Sequence, residues 1–268
     1  MNHTLIRSMA LVCVLVAPST ARAQLLAAKD ALIGYSHHHL NVTDVAAHLK
    51  FFGDTLGGVP ATAAGQRFVK FPNVLVFFRR QVPTGGSKGT TVDHVAFSVP
   101  DLAATLARVK ANGFSIVARH ASPRASAMVM APDGLQVELI EVKRQQGPIA
   151  FHHVHFTGPE QLLMQTWYGT VLKVKPKTAA GRSLPLSMPG GELEFSRTRE
   201  EVVGTKGRVI DHIGFEVDNM ELFLDRLEDI GAPLTLPQPM PGLGLPAATL
   251  ADPWGTSIEL TEGLDTIK

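Results

Sequence analysis

The chain repeats itself, and the repeat limits the folds open to it more than any other feature. Asp93-His94-Val95-Ala96-Phe97-Ser98-Val99 returns as Asp211-His212-Ile213-Gly214-Phe215-Glu216-Val217. Upstream in each half, a His-rich segment (His37-His38-His39-Leu40, then His152-His153-Val154-His155) precedes a helical stretch with two adjacent aromatics, Phe51-Phe52 or Trp167-Tyr168. Late in each half, Pro132-Asp133-Gly134-Leu135-Gln136-Val137-Glu138 is matched by Asp252-Pro253-Trp254-Gly255-Thr256-Ser257-Ile258-Glu259. Three matches in one order, at a nearly constant offset, divide the chain into similar halves at residues 31–142 and 150–262. The polar, Gly-Pro-terminated stretch Lys143–Pro148 lies between them as a linker.

Each half divides again. Asp101 is placed to cap a helix with Leu102, Leu106 and Val109 on one face, stopped by Gly113. Asp218 opens another, with Met220, Phe223, Leu224, Leu227 and Ile230 in helical register before Gly231. Earlier helices are expected over about Val45 to Leu56 and Glu160 to Leu172, with short alternating strands between them. Strand, helix, then two or three strands, four times over, is an α+β pattern.

Side chains alternate across a strand, so its two faces can be read directly. Val95, Phe97 and Val99 share an apolar face that opposes His94, Ala96 and Ser98. Ile213, Phe215 and Val217 oppose His212, Gly214 and Glu216. Leu40 and Val42 oppose His37 and His39; Val154 and Phe156 oppose His153 and His155. Glu138 and Glu259 likewise lie away from the apolar stripes of their strands. Two imidazoles and a carboxylate per set suit a divalent ion such as Zn, Fe(II), Mn, Co or Ni, and leave positions open for water or substrate. His38 and His152 fall on the opposite face, and His48 and His120 have no matching pattern.

These residues resemble the vicinal oxygen chelate superfamily, which takes in glyoxalase I, fosfomycin and bleomycin resistance proteins and extradiol dioxygenases. The signatures are a first-strand His seven positions before an acidic helix start (His37 with Asp44, His153 with Glu160), a His opening the next module (His94, His212), and the endings at Glu138 and Glu259. The resemblance implies four βαβββ modules, paired into cupped mixed sheets with helices on the outer face and a metal at the floor of each cup. It carries His37, His94 and Glu138 as one ligand set, and His153, His212 and Glu259 as another. Some members pair modules within a half and others exchange them, so the grouping is open at this level. A glyoxalase-type site adds a fourth ligand late in the first module. Glu194, 18 residues before His212, stands at such a place, and Val76, Phe77 and Phe78 stand there in the first half. Together with Trp254, this favours the second half as the working one. The extradiol pattern is not matched: Thr249 replaces the expected Tyr, and no extra His occurs between Ser183 and Glu194.

The chain has 268 residues, 45% hydrophobic and 18% charged, with a net charge of +1, which is globular composition with no dense basic block for nucleic acid. Residues 1–23 have the layout of a secretory signal: Arg7, an apolar run from Met9 to Val16, and Ala21-Arg22-Ala23 before cleavage. Cys13, the only cysteine, lies within it, so the mature chain offers no thiol chemistry. The expectation is a periplasmic or secreted monomer or homodimer, free of the membrane after signal removal. It would be a metal-dependent lyase or isomerase of glyoxalase-like type, acting on a small oxygen-chelating substrate, with Glu194 or Glu216 moving a proton. The alternatives are a non-catalytic sequestering protein of the bleomycin-resistance type and a ring-cleaving dioxygenase.

Overall fold

The computed structural model describes residues 25, 31–121, 124–176, 185–232, 235 and 238–267; the expected signal segment lies outside them. The first module is β1 (Ile33–Val42), α1 (Val45–Leu49), β2 (Val59–Ala63), β3 (Gln66–Phe71) and β4 (Val74–Arg80). The second is β5 (Val92–Val99), α2 (Leu102–Ala111), β6 (Ser115–His120), β7 (Ser126–Met130) and β8 (Gln136–Glu141). The third is β9 (Ala150–Gly158), α3 (Gln161–Val171), β10 (Leu186–Met188) and β11 (Gly191–Arg197). The fourth is β12 (Ile210–Val217), α4 (Met220–Asp229), β13 (Gln238–Pro239), β14 (Pro246–Ala251) and β15 (Ser257–Thr261).

The modules assemble across the halves. One sheet has the order β13-β14-β15-β12-β1-β4-β3-β2 and joins the first module to the fourth. The other has the order β10-β11-β9-β5-β8-β7-β6 and joins the second to the third. The central sheet is therefore built from one continuous stretch, residues 92–197, flanked in the chain by the two parts of the terminal sheet. Of the two pairings left open by the sequence, the exchanged one is observed, so the halves at 31–142 and 150–262 are not separate paired-module units: each contributes one module to each sheet.

The register fixes what meets. In the terminal sheet β1 runs antiparallel to β12, with His37 opposite Gly214 and His39 opposite His212. In the central sheet β9 runs antiparallel to β5, with His153 opposite Ala96 and His155 opposite His94. Parallel neighbours then bring Glu259 beside Gly214 and Glu138 beside Ala96. The two seams are thus equivalent position by position.

The faces turned away from these histidines pack into one continuous core with the helices. Tyr35 stacks on Phe151 of the other sheet at 4.7 Å between centroids, and Phe52 and Phe71 approach Phe97. Asp101 caps α2 by accepting from the Ala104 amide, as its position implied. In α4 the cap is Asn219, one residue beyond the expected Asp218; its carbonyl oxygen accepts from the Leu222 amide. The first helix is also not uniform: after Leu49 it widens into a π-type turn over Lys50–Thr55. Adjacent Phe51 and Phe52 both enter the core there, edge to face at 5.0 Å. A second, smaller apolar cluster lies on the histidine-bearing face of the terminal sheet and comprises Leu25, Phe68, Leu75, Phe77, Met240, Ala247 and Leu264. Among the described residues no helix is long and apolar enough to cross a membrane.

Candidate metal centres on two equivalent seams

The ligand sets expected from sequence are regrouped by the exchange of modules. His37 meets His212 and Glu259, not His94 and Glu138; His153 meets His94 and Glu138, not His212 and Glu259. All six residues are brought to a seam, three to each sheet.

Each of the four imidazoles is oriented by a contact at Nδ1. His94 Nδ1 lies 2.8 Å from Asp93 Oδ1, and His212 Nδ1 lies 2.9 Å from Asp211 Oδ1. His37 Nδ1 lies 2.9 Å from Ser36 Oγ, and His153 Nδ1 lies 2.9 Å from His152 Nδ1. An imidazole engaged outward at Nδ1 presents Nε2 inward, which is how metal-ligating histidines are normally held. Asp93 and Asp211 are visible in the repeat, but strand alternation alone gives them no role.

In the central sheet, His94 Nε2 and His153 Nε2 lie 3.6 and 3.7 Å from Glu138 Oε2, and neither nitrogen has a hydrogen-bond partner although both are buried. Those separations are too long for hydrogen bonds. They fit two donors sharing one cation, since ligand atoms about 2.1 Å from a tetrahedral centre are about 3.4 Å apart. Glu194 lies on the Nδ1 side of these rings: its Oε1 is 3.7 Å from His153 Nδ1 and its Oε2 3.9 Å from His155 Nδ1. His155, which alternation places on this face without a role, stacks on His94 at 4.5 Å and touches Ser196 Oγ at 2.9 Å. His94, His153 and His155 present nitrogens within 4.8 Å of one another, and His37, His212 and Glu259 of the terminal sheet present donor atoms within the same distance.

The electrostatics suit a cation. Burial pushes His153 far below the usual imidazole range, and neighbouring histidines push it further, so it is a neutral donor. Burial opposes ionisation of Glu138, but the proximity of His94 and Ser126 outweighs it and holds the carboxyl low. Glu194 goes the other way, raised by burial and by the charges of Glu192 and Glu138. Burial also works against a proton on His94, yet Asp93 and Glu138 prevail and raise its pKa.

The terminal sheet has the same floor in a different state. His37 Nε2 contacts Glu259 Oε2 directly at 2.9 Å, while His212 Nε2 lies 3.6 Å away without a hydrogen-bond partner. In register with His39, where the central sheet has Glu194 beside His155, stands Phe77. Glu194 therefore belongs with His94, Glu138 and His153, and the second half does not form a centre by itself. Trp254 packs against the main core, and its indole N–H donates to Glu160 at 3.0 Å.

Glu216 does not reach either floor. Its carboxylate accepts from Thr261 Oγ1 at 2.7 Å and from the amides of Gly263 and Leu264 at 2.5 and 2.9 Å, which ties down the C-terminal turn. Its expected part in proton transfer is replaced by a structural one. His48 also has a structural partner, Asp133 at 3.0 Å, which in turn accepts from the Thr43 amide.

Residues 34–139 match the Glyoxalase/Bleomycin resistance protein/Dioxygenase superfamily. No curated protein matches the chain in sequence. Among solved structures, glyoxalase I from Zea mays is 16% identical, with a TM-score of 0.67 over 87% of this chain and 94% of its own. A dioxygenase-like protein from Bacillus subtilis is 15% identical, with a TM-score of 0.66 over 85% of this chain and 84% of its own. Residues 34–139 are thus similar in sequence to the glyoxalase/bleomycin resistance protein/dioxygenase superfamily, and the fold of the chain is similar to that of these two proteins.

Proposed function

We propose that the protein is a divalent-metal-dependent enzyme acting on a small molecule with two neighbouring oxygens, and that the central sheet is its working centre. The observation that carries this is the convergence of two buried, partnerless imidazole nitrogens on Glu138, with Glu194 alongside. His94, His153 and Glu138 would hold the ion, and their donor chemistry accepts Zn, Fe(II), Mn, Co or Ni. When bound, such an ion draws charge from a chelated oxygen and so favours an oxyanion as it forms. Asp93 and His152 keep the ligating rings turned inward. Glu194, raised by burial and its acidic neighbours, is suited to hold a proton and pass it within the cup, as lyase or isomerase chemistry of the glyoxalase type requires. We further propose export after removal of residues 1–23, which intact mass measurement of the native protein would refute by finding Met1 in place.

The test of the metal reading uses the chain from residue 24, without a histidine tag, with bound metal measured by elemental analysis. One ion per chain, lost in Glu138→Ala and kept in Glu259→Ala, is the expected result. Retention in Glu138→Ala with loss in Glu259→Ala would transfer the reading to the terminal sheet. No metal after reconstitution with each of the five ions would end it.

A further inference from the structure

Gln136 stands two residues before Glu138 on the same face of β8 and is buried, yet it is no member of the metal set. Its side-chain Nε2 donates to Asp93 Oδ1 at 3.2 Å, the same oxygen that holds His94 Nδ1 at 2.8 Å. Its backbone is held as well. The Gln136 amide donates to Ser87 Oγ at 2.9 Å, and the Ser87 amide donates to the Gly134 carbonyl at 3.1 Å. Ser87 is wholly buried within the glycine-rich connection Gly85-Gly86-Ser87-Lys88-Gly89, and a side chain at Gly86 would run into that carbonyl.

The terminal sheet repeats this backbone clamp but not the side chain. The Ser257 amide donates to Thr205 Oγ1 at 2.9 Å, and the Thr205 amide to the Gly255 carbonyl at 3.0 Å. Asp211 draws its other donors from Asn41, Arg79 and the Gly207 amide. In the central sheet the positions of Asn41 and Arg79 carry Thr157 and Ser196. Thr157 donates to the Thr90 carbonyl, and Ser196 contacts His155. Among the described residues, Gln136 and His94 are the side chains hydrogen-bonded to Asp93.

On the reading of the central sheet as the metal centre, we propose that Gln136 is a positioning residue: its side-chain amide fixes the Asp93 carboxylate, which then holds His94 with Nε2 toward Glu138. The terminal torsion of an aspartate is soft, so a lone contact with a rotatable imidazole lets both groups turn together. A second donor on the same oxygen, from a side chain whose own backbone is clamped, removes that freedom. A carboxylate can only accept, so a proton stays on His94 Nδ1 and Nε2 is the nitrogen offered to a cation. Asp211 has its own donors whatever stands at 257, which confines the device to the central sheet.

The test compares the wild type with Gln136→Met, which fills similar space without a donor, and Gln136→Lys, which restores one. Two quantities are read: zinc affinity by competition with a chromophoric chelator, and the His94 Nδ1–H resonance in heteronuclear NMR of the metal-free chain from residue 24. Gln136→Met should weaken zinc binding about tenfold, the lower end of the effect of losing an outer orienting partner, with cooperative melting unchanged. In that variant the Nδ1–H signal, slow to exchange in the wild type, should be lost to exchange with water, and Gln136→Lys should bring it back. Ser257→Ala should alter neither quantity. If Gln136→Met does not fold, Gln136→Ala gives the same comparison. An Nδ1–H signal that persists without the Gln136 donor would overturn the proposal whatever happens to zinc, and so would its loss with affinity unaltered. Failure of Gln136→Lys to restore the signal would overturn it too, by showing that Gln136 only fills space. A wild type that takes up no zinc would sink the metal reading instead, and the NMR comparison would still decide whether Gln136 orients His94.

Discussion

The two seams start from the same residues and end in different chemistry. In the central sheet, His94 and His153 each stand off from Glu138 at 3.6 and 3.7 Å, and Glu194 and His155 lie beside them. In the terminal sheet, His37 closes directly onto Glu259, Phe77 takes the place of Glu194, and an apolar cluster covers the face. Duplication fixes where backbone atoms go, whereas a few side chains beside the seam decide whether the donors stay open for a cation. The pair teaches that a triad repeated within one chain is not by itself a functional site: the neighbours set its state.

The largest effect that can break this comparison is loss of a central ligand. Glu138→Ala should lower metal affinity by more than about 100-fold, beyond the roughly 10–100-fold typical of losing an outer orienting group. Glu259→Ala should leave the tightly bound metal in place. Equal losses, measured by competition with a chromophoric chelator, would mean that the two seams are functionally alike.

Next come Asp93 and Asp211, the aspartates that precede His94 and His212. Asp93 accepts from Gln136 as well as orienting His94. Asp211 is committed more widely, to Asn41 Nδ2, the Gly207 amide and Arg79 besides His212. Asp93→Asn is therefore expected to cost about 10–100-fold in metal affinity with little change in melting. Asp211→Asn should cost about 1–3 kcal/mol of stability through unsatisfied buried donors, with metal content unchanged. Isothermal titration and urea unfolding on both variants separate the two outcomes; a reversal would exchange the roles given to the seams.

How much of this the sequence could show follows from the range of each interaction. Strand faces and helix stops are local, and Asp101, Gly113 and the alternation around Phe97 and Phe215 specify them within a few residues. All six ligand candidates were legible, because the repeat marked them twice. Which His joins which Glu was not, since that depends on the antiparallel pairing of β1 with β12 across 170 residues or more, and either pairing buries the same apolar stripes. Glu194 and Glu216 show the same limit from the other side. Both are carboxylates on the ligand face, but only the fold tells that Glu216 is absorbed by the amides of Gly263 and Leu264. His155 was on the correct face all along; nothing local distinguished it from His39, whose neighbour is Phe77.

Glu216 gives a third contrast, because its counterpart in the central sheet is Ser98, which bonds the Ala150 carbonyl. Burial raises the Glu216 carboxyl to about 7 despite its three hydrogen bonds. Folding therefore takes up a proton between the unfolded value, about 4.3, and 7. The stability this contributes is complete at low pH, is lost as pH rises through 7, and is level above that. Each pH unit between those two values is worth about 1.4 kcal/mol, so the wild type should lose up to about 3 kcal/mol between pH 4.5 and 7.5 relative to Glu216→Gln. Urea unfolding of both proteins at the two pH values measures the difference. Parallel curves would show that the carboxylate is ionised throughout.

The smallest expected effect bears most directly on why one triad is closed. Opposite His153 the seam has Ala96, but opposite His37 it has Gly214. The His37 ring lies in the space that a side chain at 214 would occupy; a methyl there would overlap its Cε1, Nδ1 and Nε2. The glycine is thus what lets His37 settle onto β12 and reach Glu259. Gly214→Ala should push the ring away from the strand at a cost of about 1–3 kcal/mol, the usual penalty for overpacking. In doing so it should open the His37–Glu259 contact toward the spacing seen around Glu138. The readout is metal stoichiometry in a Glu138→Ala background, where any ion retained belongs to the terminal sheet. A gain of binding there would show that one methyl group separates the two states. Destabilisation without any gain would place the difference instead in Phe77, where the central sheet carries Glu194.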